Sequence, residues 1–256
     1  MRLHVLSDLH FESDMSSAEA IGAAAPEADV VVLAGDIHNS TRGLEIAAQM
    51  WPDTPVVYVL GNHEYYGRRD FHRTLAAARE RAAQLGIHLL ENDEVRILGV
   101  RFLGCTLWSG LDSATAPWLE AAAAVEQNLS DFSEIRDGDK PFTALAMTQH
   151  HWESRVWLES MLDPTTPAVV VTHFAPFLTG FNPWFGGGER LLTAYFHNDL
   201  SHLAGPAAPL WIHGHHHHSY DEIYDTPQGA TRVMSNQLGY PDESTGFSPG
   251  LIVEVP

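Results

Sequence analysis

Three short apolar runs at the start of the chain constrain its fold more than any other feature. Residues 1–8, 29–36 and 54–63 read MRLHVLSD, DVVVLAGD and TPVVYVLGNH; each is rich in β-branched residues and ends in Asp, Asn or His. Segments with helical periodicity lie between and after them, the longest being RRDFHRTLAAARERAAQL at 68–85. Strands that alternate with helices in this way predict a mostly parallel sheet with helices on its faces.

The pattern changes at about residue 107. Residues 107–162 are mostly helical and contain no run that predicts a strand, so we expect an insertion packed over one edge of the sheet. Strand-like runs resume with TPAVVVTHFAP at 166–176 and continue to the C-terminus. We therefore predict an α/β fold in a single domain spanning 1–256, with a helical insertion at about 107–162.

Composition and charge argue against several classes of protein. The chain of 256 residues is 45% hydrophobic and has one cysteine, Cys105, so an intrachain disulfide is impossible and a cytoplasmic location is expected. The N-terminal residues lack the apolar core of a signal peptide, and no apolar stretch reaches the roughly 20 residues of a membrane span. The net charge is -19 and no basic stripe is present, so we expect no long nucleic acid as a partner.

Side chains that can bind metal ions follow five of the predicted strands. In open α/β sheets, ligands gather beyond the carboxyl ends of the strands, where such residues would meet. The Asp-x-His and His-x-His spacings would each place two side chains on the same side of an extended segment. A glycine stands before three of the candidates and predicts a sharp turn there. The candidates are Asp8, His10, Asp36, Asn62, His63, His173, His215 and His217.

The order of these motifs resembles the calcineurin-like metallophosphoesterase family over residues 1 to about 240. The family pattern is D-x-H, G-D, G-N-H-[DE], a lone His after a strand, and G-H-x-H. It reads here as DLH at 8–10, GD at 35–36, GNHE at 61–64, His173, and GHHH at 214–217. The resemblance implies two mixed β-sheets in a sandwich flanked by helices. It also implies a metal-dependent phosphoric ester hydrolase with two divalent ions; Mn, Fe, Zn or Ni would suit nitrogen and oxygen ligands without thiolate.

The resemblance also implies a role for each matching residue. The first ion would be held by Asp8, His10, Asp36 and His217. The second would be held by Asp36, Asn62, His173 and His215. A hydroxide that bridges the two ions would attack the phosphorus of a small phosphorylated substrate. Asp36 and His63 would be the catalytic residues, and Asn62 and His63 would contact the substrate.

Residues 213–218, HGHHHH, contain five histidines around one glycine. In the family motif only the first and third residues after the glycine are ligands. The resemblance therefore assigns His215 and His217 to the metals and has His216 point elsewhere. His213 and His218 lie outside the motif, and whether they contact the substrate stays open.

One position departs from the family pattern. Many members read G-D-x-x-D, in which the second Asp orients the histidine of the GNH motif, whereas this chain has Asn39 at that position. We therefore expect His63 to lack a carboxylate partner and to be less readily protonated. Such an enzyme would prefer esters with good leaving groups, phosphodiesters included. A phosphomonoesterase, a protein Ser/Thr-phosphatase-like enzyme and a catalytically idle metal-binding scaffold stay open as alternatives.

Three further features are expected around this site. Glu12 should be a solvated carboxylate, or one that supports the ligands, rather than a ligand itself. The loop 182–190, NPWFGGGER, combines three glycines with two aromatic residues and predicts a mobile lip over the site. The aromatic residues of the insertion should pack against the sheet; they are Trp108, Trp118, Phe132, Phe142 and Trp157.

Overall fold

The structure is a computed structural model that describes residues 1–112, 117–177, 190–196 and 198–255. In chain order, its strands are β1 (Arg2–Leu6), β2 (Val30–Ala34), β3 (Val56–Val59), β4 (Arg69–Asp70), β5 (His88–Leu89), β6 (Asp93–Ile97), β7 (Val100–Cys105), β8 (Ile135–Asp137), β9 (Lys140–Pro141), β10 (Val169–Thr172), β11 (Leu210–His213), β12 (Tyr220–Thr226), β13 (Gly229–Ser235) and β14 (Ile252–Glu254). Its helices are α1 (Ser16–Ala24), α2 (Arg42–Met50), α3 (Phe71–Leu85), α4 (Trp118–Asn128), α5 (Asp131–Glu134), α6 (Ala144–Met161) and α7 (Arg190–Thr193). Within the described residues, no helix combines the length and apolar character needed to cross a membrane.

Two large sheets pack face to face. The first has the strand order β14-β1-β2-β3-β5; its strands are parallel except β14, which is antiparallel to β1. The second has the order β12-β13-β11-β10-β7-β6, with parallel pairing from β13 to β7 and an antiparallel hairpin at each edge. The α/β sandwich of two mixed sheets that the resemblance implied is therefore confirmed.

Side-chain alternation along the central strands builds a core on each face of the sheet. On β2, Val30 and Val32 belong to the core between the two sheets, which also contains Val171 of β10. The intervening residues, Val31 and Leu33, belong to the core beneath the helices. Because both faces of β2 are buried, its sequence is a continuous apolar run rather than an alternating one.

The segment 107–162 is largely helical, as predicted, but the expectation that it contains no strand is wrong. β8 and β9 pair with each other, and β8 also pairs with β4, which makes a small three-stranded sheet. These strands are too short for the period-two alternation that identifies a strand in a sequence. Between β8 and β9, Gly138 turns the chain with a φ of 60°, and its N–H donates to Asp70 Oδ2 at 2.7 Å.

The aromatic residues of this segment pack inward, as predicted. Trp108, Phe132 and Phe142 are buried, and Trp118 and Trp157 are half-buried against the same core. The Phe142 ring stacks on a phenylalanine at the start of α3, with 5.7 Å between ring centroids. This packing holds the segment against the first sheet's helices. The limits of the domain and of the insertion stay predictions.

Candidate metal centre

The loops that follow β1, β2, β3, β10 and β11 meet at one edge of the sandwich, and backbone amides hold their carboxylates in place. The N–H of Asp8 donates to Gly35 O at 3.0 Å. The N–H of His215 donates to both carboxylate oxygens of Asp8, at 3.0 and 3.1 Å. The N–H of His63 donates to Asp36 Oδ1 at 2.9 Å. All the predicted site residues therefore come together, although they span more than 200 positions of sequence.

Tight turns rather than extended strands orient the side chains of the candidate ligands. The expectation that Asp-x-His and His-x-His lie along extended segments is wrong, because all four residues have left-handed backbone geometry. Such geometry costs non-glycine residues roughly 1–3 kcal/mol each and occurs most often at functional sites. Asp36 shares this geometry, and the five residues with φ between 43° and 83° are Asp8, His10, Asp36, His215 and His217.

The glycines that precede three site residues serve two different purposes. Gly35 has a φ of 89°, which is the sharp turn predicted from the sequence. At Gly61 the reason is space, since a Cβ there would overlap the Asp36 carboxylate. A Cβ on Gly214 would likewise lie 2.5 Å from Asp8 Oδ2. Glycine at the last two positions lets the backbone approach a carboxylate closely.

Three residues form the first cluster of ligand atoms, which we call the Asp8 group (Asp8, His10 and His217). His217 Nε2 lies 3.0 Å from His10 Nε2 and 3.6 Å from Asp8 Oδ1. Both rings turn Nδ1 to a carboxylate: His10 Nδ1 lies 3.0 Å from Glu12 Oε1, and His217 Nδ1 lies 2.5 Å from Glu243 Oε2. A histidine that donates from Nδ1 to a carboxylate presents Nε2 to a metal ion.

The second cluster, the His173 group, consists of Asn62, His173 and His215. His173 Nε2 lies 3.1 Å from Asn62 Oδ1 and 3.2 Å from His215 Nδ1. The other nitrogen of the His173 ring, Nδ1, lies 2.8 Å from the carbonyl oxygen of Ala34. As in the Asp8 group, one ring nitrogen is anchored and the other faces the cluster.

Asp36 lies between the two groups. Its Oδ2 is 3.8 Å from His10 Nε2 of the Asp8 group and 3.4 Å from His173 Nε2 of the His173 group. Burial raises the pKa of the Asp36 carboxyl, but the surrounding His173, His63 and His10 outweigh burial and hold this pKa well below its usual value. Asp36 is therefore placed to contact cations in both groups as a carboxylate.

The chemistry of these residues fits divalent cations. Asp8 and Asp36 are buried carboxylates, and the ion-pair partners that the structure describes for them are all histidines. Buried charge of one sign is costly unless a counterion or metal offsets it. In both groups, two ring nitrogens lie 3.0–3.2 Å apart, close enough for one cation to contact both. The donors are nitrogen and oxygen atoms, which suit first-row transition metals.

The expectation that His63 lacks a carboxylate partner is wrong. His63 Nδ1 lies 2.8 Å from Glu12 Oε1, so a carboxylate two residues after His10 contacts the ring that Asn39 does not contact. Burial lowers the pKa of His63, but the charges of Asp36 and Glu12 and the hydrogen bond from Glu12 outweigh burial and raise it to about 9. Cations bound to Asp36 would offset part of this attraction.

The sequence and the fold both match known proteins. The family model for calcineurin-like phosphoesterases matches residues 1–219. The chain belongs to this family. Metal-dependent hydrolysis of phosphoesters is therefore its activity, and the family uses divalent metal ions.

Two individual proteins are similar to this phosphoesterase. The uncharacterized protein L509 of Acanthamoeba polyphaga mimivirus is 24% identical over 218 residues, which cover 78% of this chain and 73% of the viral protein. The crystal structure of a phosphopantetheinyl hydrolase from Mycobacterium tuberculosis superposes with a TM-score of 0.70 and 20% identity. That match covers 93% of this chain and 89% of the mycobacterial one, and it shows a shared fold.

The histidines at residues 213–218 of this phosphoesterase are of two kinds: members of the two ligand groups, and residues outside those groups. His215 and His217 belong to the His173 and Asp8 groups, respectively. His213 is fully buried, with Nε2 2.5 Å from the Tyr220 hydroxyl, and burial lowers its pKa to about 4. His216 and His218 lie outside both groups but line the cleft above them, so the expectation that His216 points elsewhere holds for the metal groups alone.

Several residues around the site carry no signal in the sequence. Asp131, a buried residue of α5, accepts hydrogen bonds from Asn62 Nδ2 at 2.9 Å and from the Tyr66 hydroxyl at 2.6 Å. Tyr240 stacks on the His10 ring at 4.5 Å, and its hydroxyl lies 3.2 Å from His63 Nε2. Of these residues, only Glu12 could have been suspected from the sequence, because it lies two residues after the candidate ligand His10.

A cleft of about 610 Å³ opens above the two groups. Residues 128–131 of the inserted segment line part of it, and another part is lined by Tyr240, Asp242, Glu243 and Ser244. Tyr195 and Phe196 add aromatic surface beside His215. The predicted mobile lip falls on residues 182–190, of which 182–189 lie outside the described residues.

Proposed function

We propose that this phosphoesterase holds two divalent ions and hydrolyses small phosphodiesters. The position of Asp36 Oδ2, within 4 Å of ring nitrogens from both ligand groups, carries the two-ion part of the proposal. The first ion would be held by Asp8, His10, Asp36 and His217. The second would be held by Asp36, Asn62, His173 and His215. Manganese, iron, zinc and nickel all suit this donor set.

Bound divalent ions would supply Lewis acidity, which lowers the pKa of water and offsets the negative charge of the phosphoryl oxygens. The protein's own contribution is to orient the reacting groups. His63 is proposed as the catalytic side chain next to the leaving oxygen, because its Nε2 lies 3.9 Å from Asp36 Oδ2 and the ring lines the cleft. The Asn62 amide nitrogen is already bonded to Asp131, so we assign Asn62 to the metal rather than to the substrate.

The preference for diesters no longer depends on Asn39, because Glu12 supplies the carboxylate that His63 was expected to lack. It now depends on the charge of the cleft. The described lining includes Asp131, Asp242 and Glu243 and, among the described residues, contains no Lys or Arg. A phosphodiester carries one negative charge, whereas a monoester carries close to two at neutral pH. The acidic lining therefore disfavours the monoester.

The shape and charge of the cleft favour a small organic substrate. Its volume of about 610 Å³ suits a small molecule. Tyr66, Tyr195 and Phe196 offer apolar surface for the second substituent of a diester. The net charge of -19 disfavours long nucleic acid. A cytoplasmic location stays part of this proposal.

The test compares two chromogenic esters. Metal-stripped protein is refilled with Mn²⁺ and assayed with bis-p-nitrophenyl phosphate and with p-nitrophenyl phosphate, and the Asp36→Asn variant serves as the blank. We expect faster hydrolysis of the diester, with the rate lost in the variant. A faster monoester rate would reverse the proposed preference. Equal rates in wild type and variant would show that Asp36 has no part in the reaction.

A further inference from the structure

One oxygen of Glu12 contacts two histidines at once. Glu12 Oε1 lies 3.0 Å from His10 Nδ1 and 2.8 Å from His63 Nδ1. The two rings are nearly perpendicular, at 71°, with centroids 4.4 Å apart. Among the described residues, no group hydrogen-bonds to Glu12 Oε2. The described hydrogen bonds of this carboxylate therefore all go to the two imidazoles.

Backbone hydrogen bonds on either side of Glu12 support the turn after β1. The N–H of Phe11 donates to Ile37 O at 3.0 Å, and the N–H of Ser13 donates to His10 O at 2.8 Å. The Phe11 side chain is buried, which leaves the next residue facing the site. Only 14% of the Glu12 side chain is exposed. A carboxylate fixed this way can orient a ring without a large loss of side-chain entropy.

We infer that Glu12 is a positioning residue that holds the His63 ring with Nε2 toward the cleft. The inference rests on the role proposed above for His63. Glu12 accepts a hydrogen bond from the Nδ1–H of His63, so Nε2 is the nitrogen presented to the substrate. Asn39 does not share this role, because its Oδ1 is buried without a hydrogen-bond partner among the described residues.

His10, Glu12 and His63 also place one ligand atom each within 4.8 Å of one another, but Glu12 is assigned to the two rings rather than to a further metal ion. It contacts His10 through Nδ1, whereas Nε2 of the same ring faces the Asp8 group. A neutral imidazole that binds an ion through Nε2 carries its proton on Nδ1, and that proton is donated to Glu12. One carboxylate thus anchors a ligand ring and the His63 ring together.

The first test is spectroscopic and needs no metal. Long-range ¹H–¹⁵N spectra of metal-free wild-type protein, recorded above the His63 pKa of about 9 so that the ring is neutral, should show His63 with its proton fixed on Nδ1. In Glu12→Ala, the His63 signals should move to those of a ring that exchanges between tautomers, while Glu12→Gln should lie between the two. The exposed carboxylate variant Glu27→Gln is the matched control and should match wild type. Identical His63 signals in wild type and Glu12→Ala would overturn the inference.

The second test is a double-mutant cycle on the Mn²⁺-loaded enzyme. At saturating Mn²⁺, which offsets any metal affinity lost through His10, Glu12→Ala should lower kcat for diesters with poor leaving groups by about 10–100-fold, with a smaller change in KM. In the His63→Ala background, the same substitution should change the rate less than about 3-fold, since residues that act through one another are not additive. Equal losses in both backgrounds at saturating Mn²⁺ would overturn the inference.

The two proposals fail in different ways. If His63→Ala alone leaves every rate unchanged, the proposed role of His63 is wrong, and the spectra still decide whether Glu12 holds the ring. If His63→Ala slows poor leaving groups and Glu12→Ala does not, the proposed function stands and the Glu12 inference is wrong.

Discussion

Asp131 Oδ1 accepts a hydrogen bond from Asn62 Nδ2 at 2.9 Å, and this bond joins the inserted segment to the metal centre. It fixes the amide so that Asn62 Oδ1 faces His173. The hydroxyls of Tyr66 and Tyr195 also donate to the Asp131 carboxylate. The inserted segment is therefore more than a cover for the sheet edge, because it orients one of the candidate ligands.

Replacement of Asp131 should weaken the metal centre. Asp131→Ala frees the Asn62 amide to rotate, and loss of such a supporting bond typically costs about 10–100-fold in metal affinity or activity. We expect a lower metal content after dialysis, measured by elemental analysis, and a matching fall in kcat/KM. Asp139→Ala, an exposed carboxylate of the same segment, is the control and should behave as wild type. Full metal content and full activity in Asp131→Ala would refute this role.

Removal of metal should lower the thermal stability of the protein. Ions that bind the native state alone, at 100 times their Kd, stabilise it by about 2.7 kcal/mol each. For a chain of this size, that corresponds to a fall in Tm of about 5–10 °C for each ion that a chelator removes. Calorimetry with and without Mn²⁺ measures the change, and Asp36→Asn should show a smaller one. An unchanged Tm would contradict the assignment of the two groups as metal ligands.

Glu64 should be essential to the stability of the loops that carry Asp36 and Asn62. Its buried carboxylate accepts from the backbone N–H groups of Asp36, Ile37 and Gly61, at 3.1, 2.9 and 2.7 Å. Glu64→Ala would leave these donors without an acceptor, which costs about 1–3 kcal/mol for each unsatisfied group. We expect the free energy of unfolding in urea to fall by about 3 kcal/mol or more.

Tyr58→Phe, which removes one hydrogen-bond donor to Glu64, is the comparison variant for Glu64→Ala. The Tyr58 hydroxyl donates to Glu64 Oε1 at 2.7 Å, and Tyr58→Phe removes this bond alone. It should cost about 1 kcal/mol, the usual net value of one hydrogen bond. Equal losses in the two variants would show that the backbone bonds to Glu64 contribute little.

Glu91 should make stability fall as the pH rises. Burial raises the pKa of its carboxyl to about 7 from 4.5, although hydrogen bonds from Thr106 oppose the shift. Between these two values the folded state keeps a proton that the unfolded state has released, so the free energy of unfolding decreases with pH. The stability contribution is complete below about pH 4.5 and is lost by about pH 7, a change of about 3 kcal/mol. Urea unfolding at pH 5 and pH 8 should show it, and Glu91→Gln should lose most of this difference.

The metal-binding pattern could be predicted from the sequence because each candidate follows an apolar run that forms a strand. Asp8, Asp36 and His173 lie just past β1, β2 and β10, and parallel strands deliver their carboxyl ends to one edge. The period of the apolar residues and the order of the motifs are local properties, so they are visible without a structure. The backbone conformation at the motifs could not be predicted: Asp8 and His215 have left-handed geometry, whereas the spacing had suggested an extended backbone.

By itself, the sequence determined the α/β class, the residues at the strand ends and the family to which the motifs point. Only the tertiary structure decided which carboxylates support those residues. Glu12 and His63 are 51 positions apart, Asn62 and Asp131 are 69 apart, and His63 and Tyr240 are 177 apart. A polar contact of this kind leaves no periodic trace in the chain, because it depends on the packing of a whole segment rather than on its neighbours in sequence. That is why Asn39 suggested a histidine without a partner, and why the fold supplied Glu12 in its place.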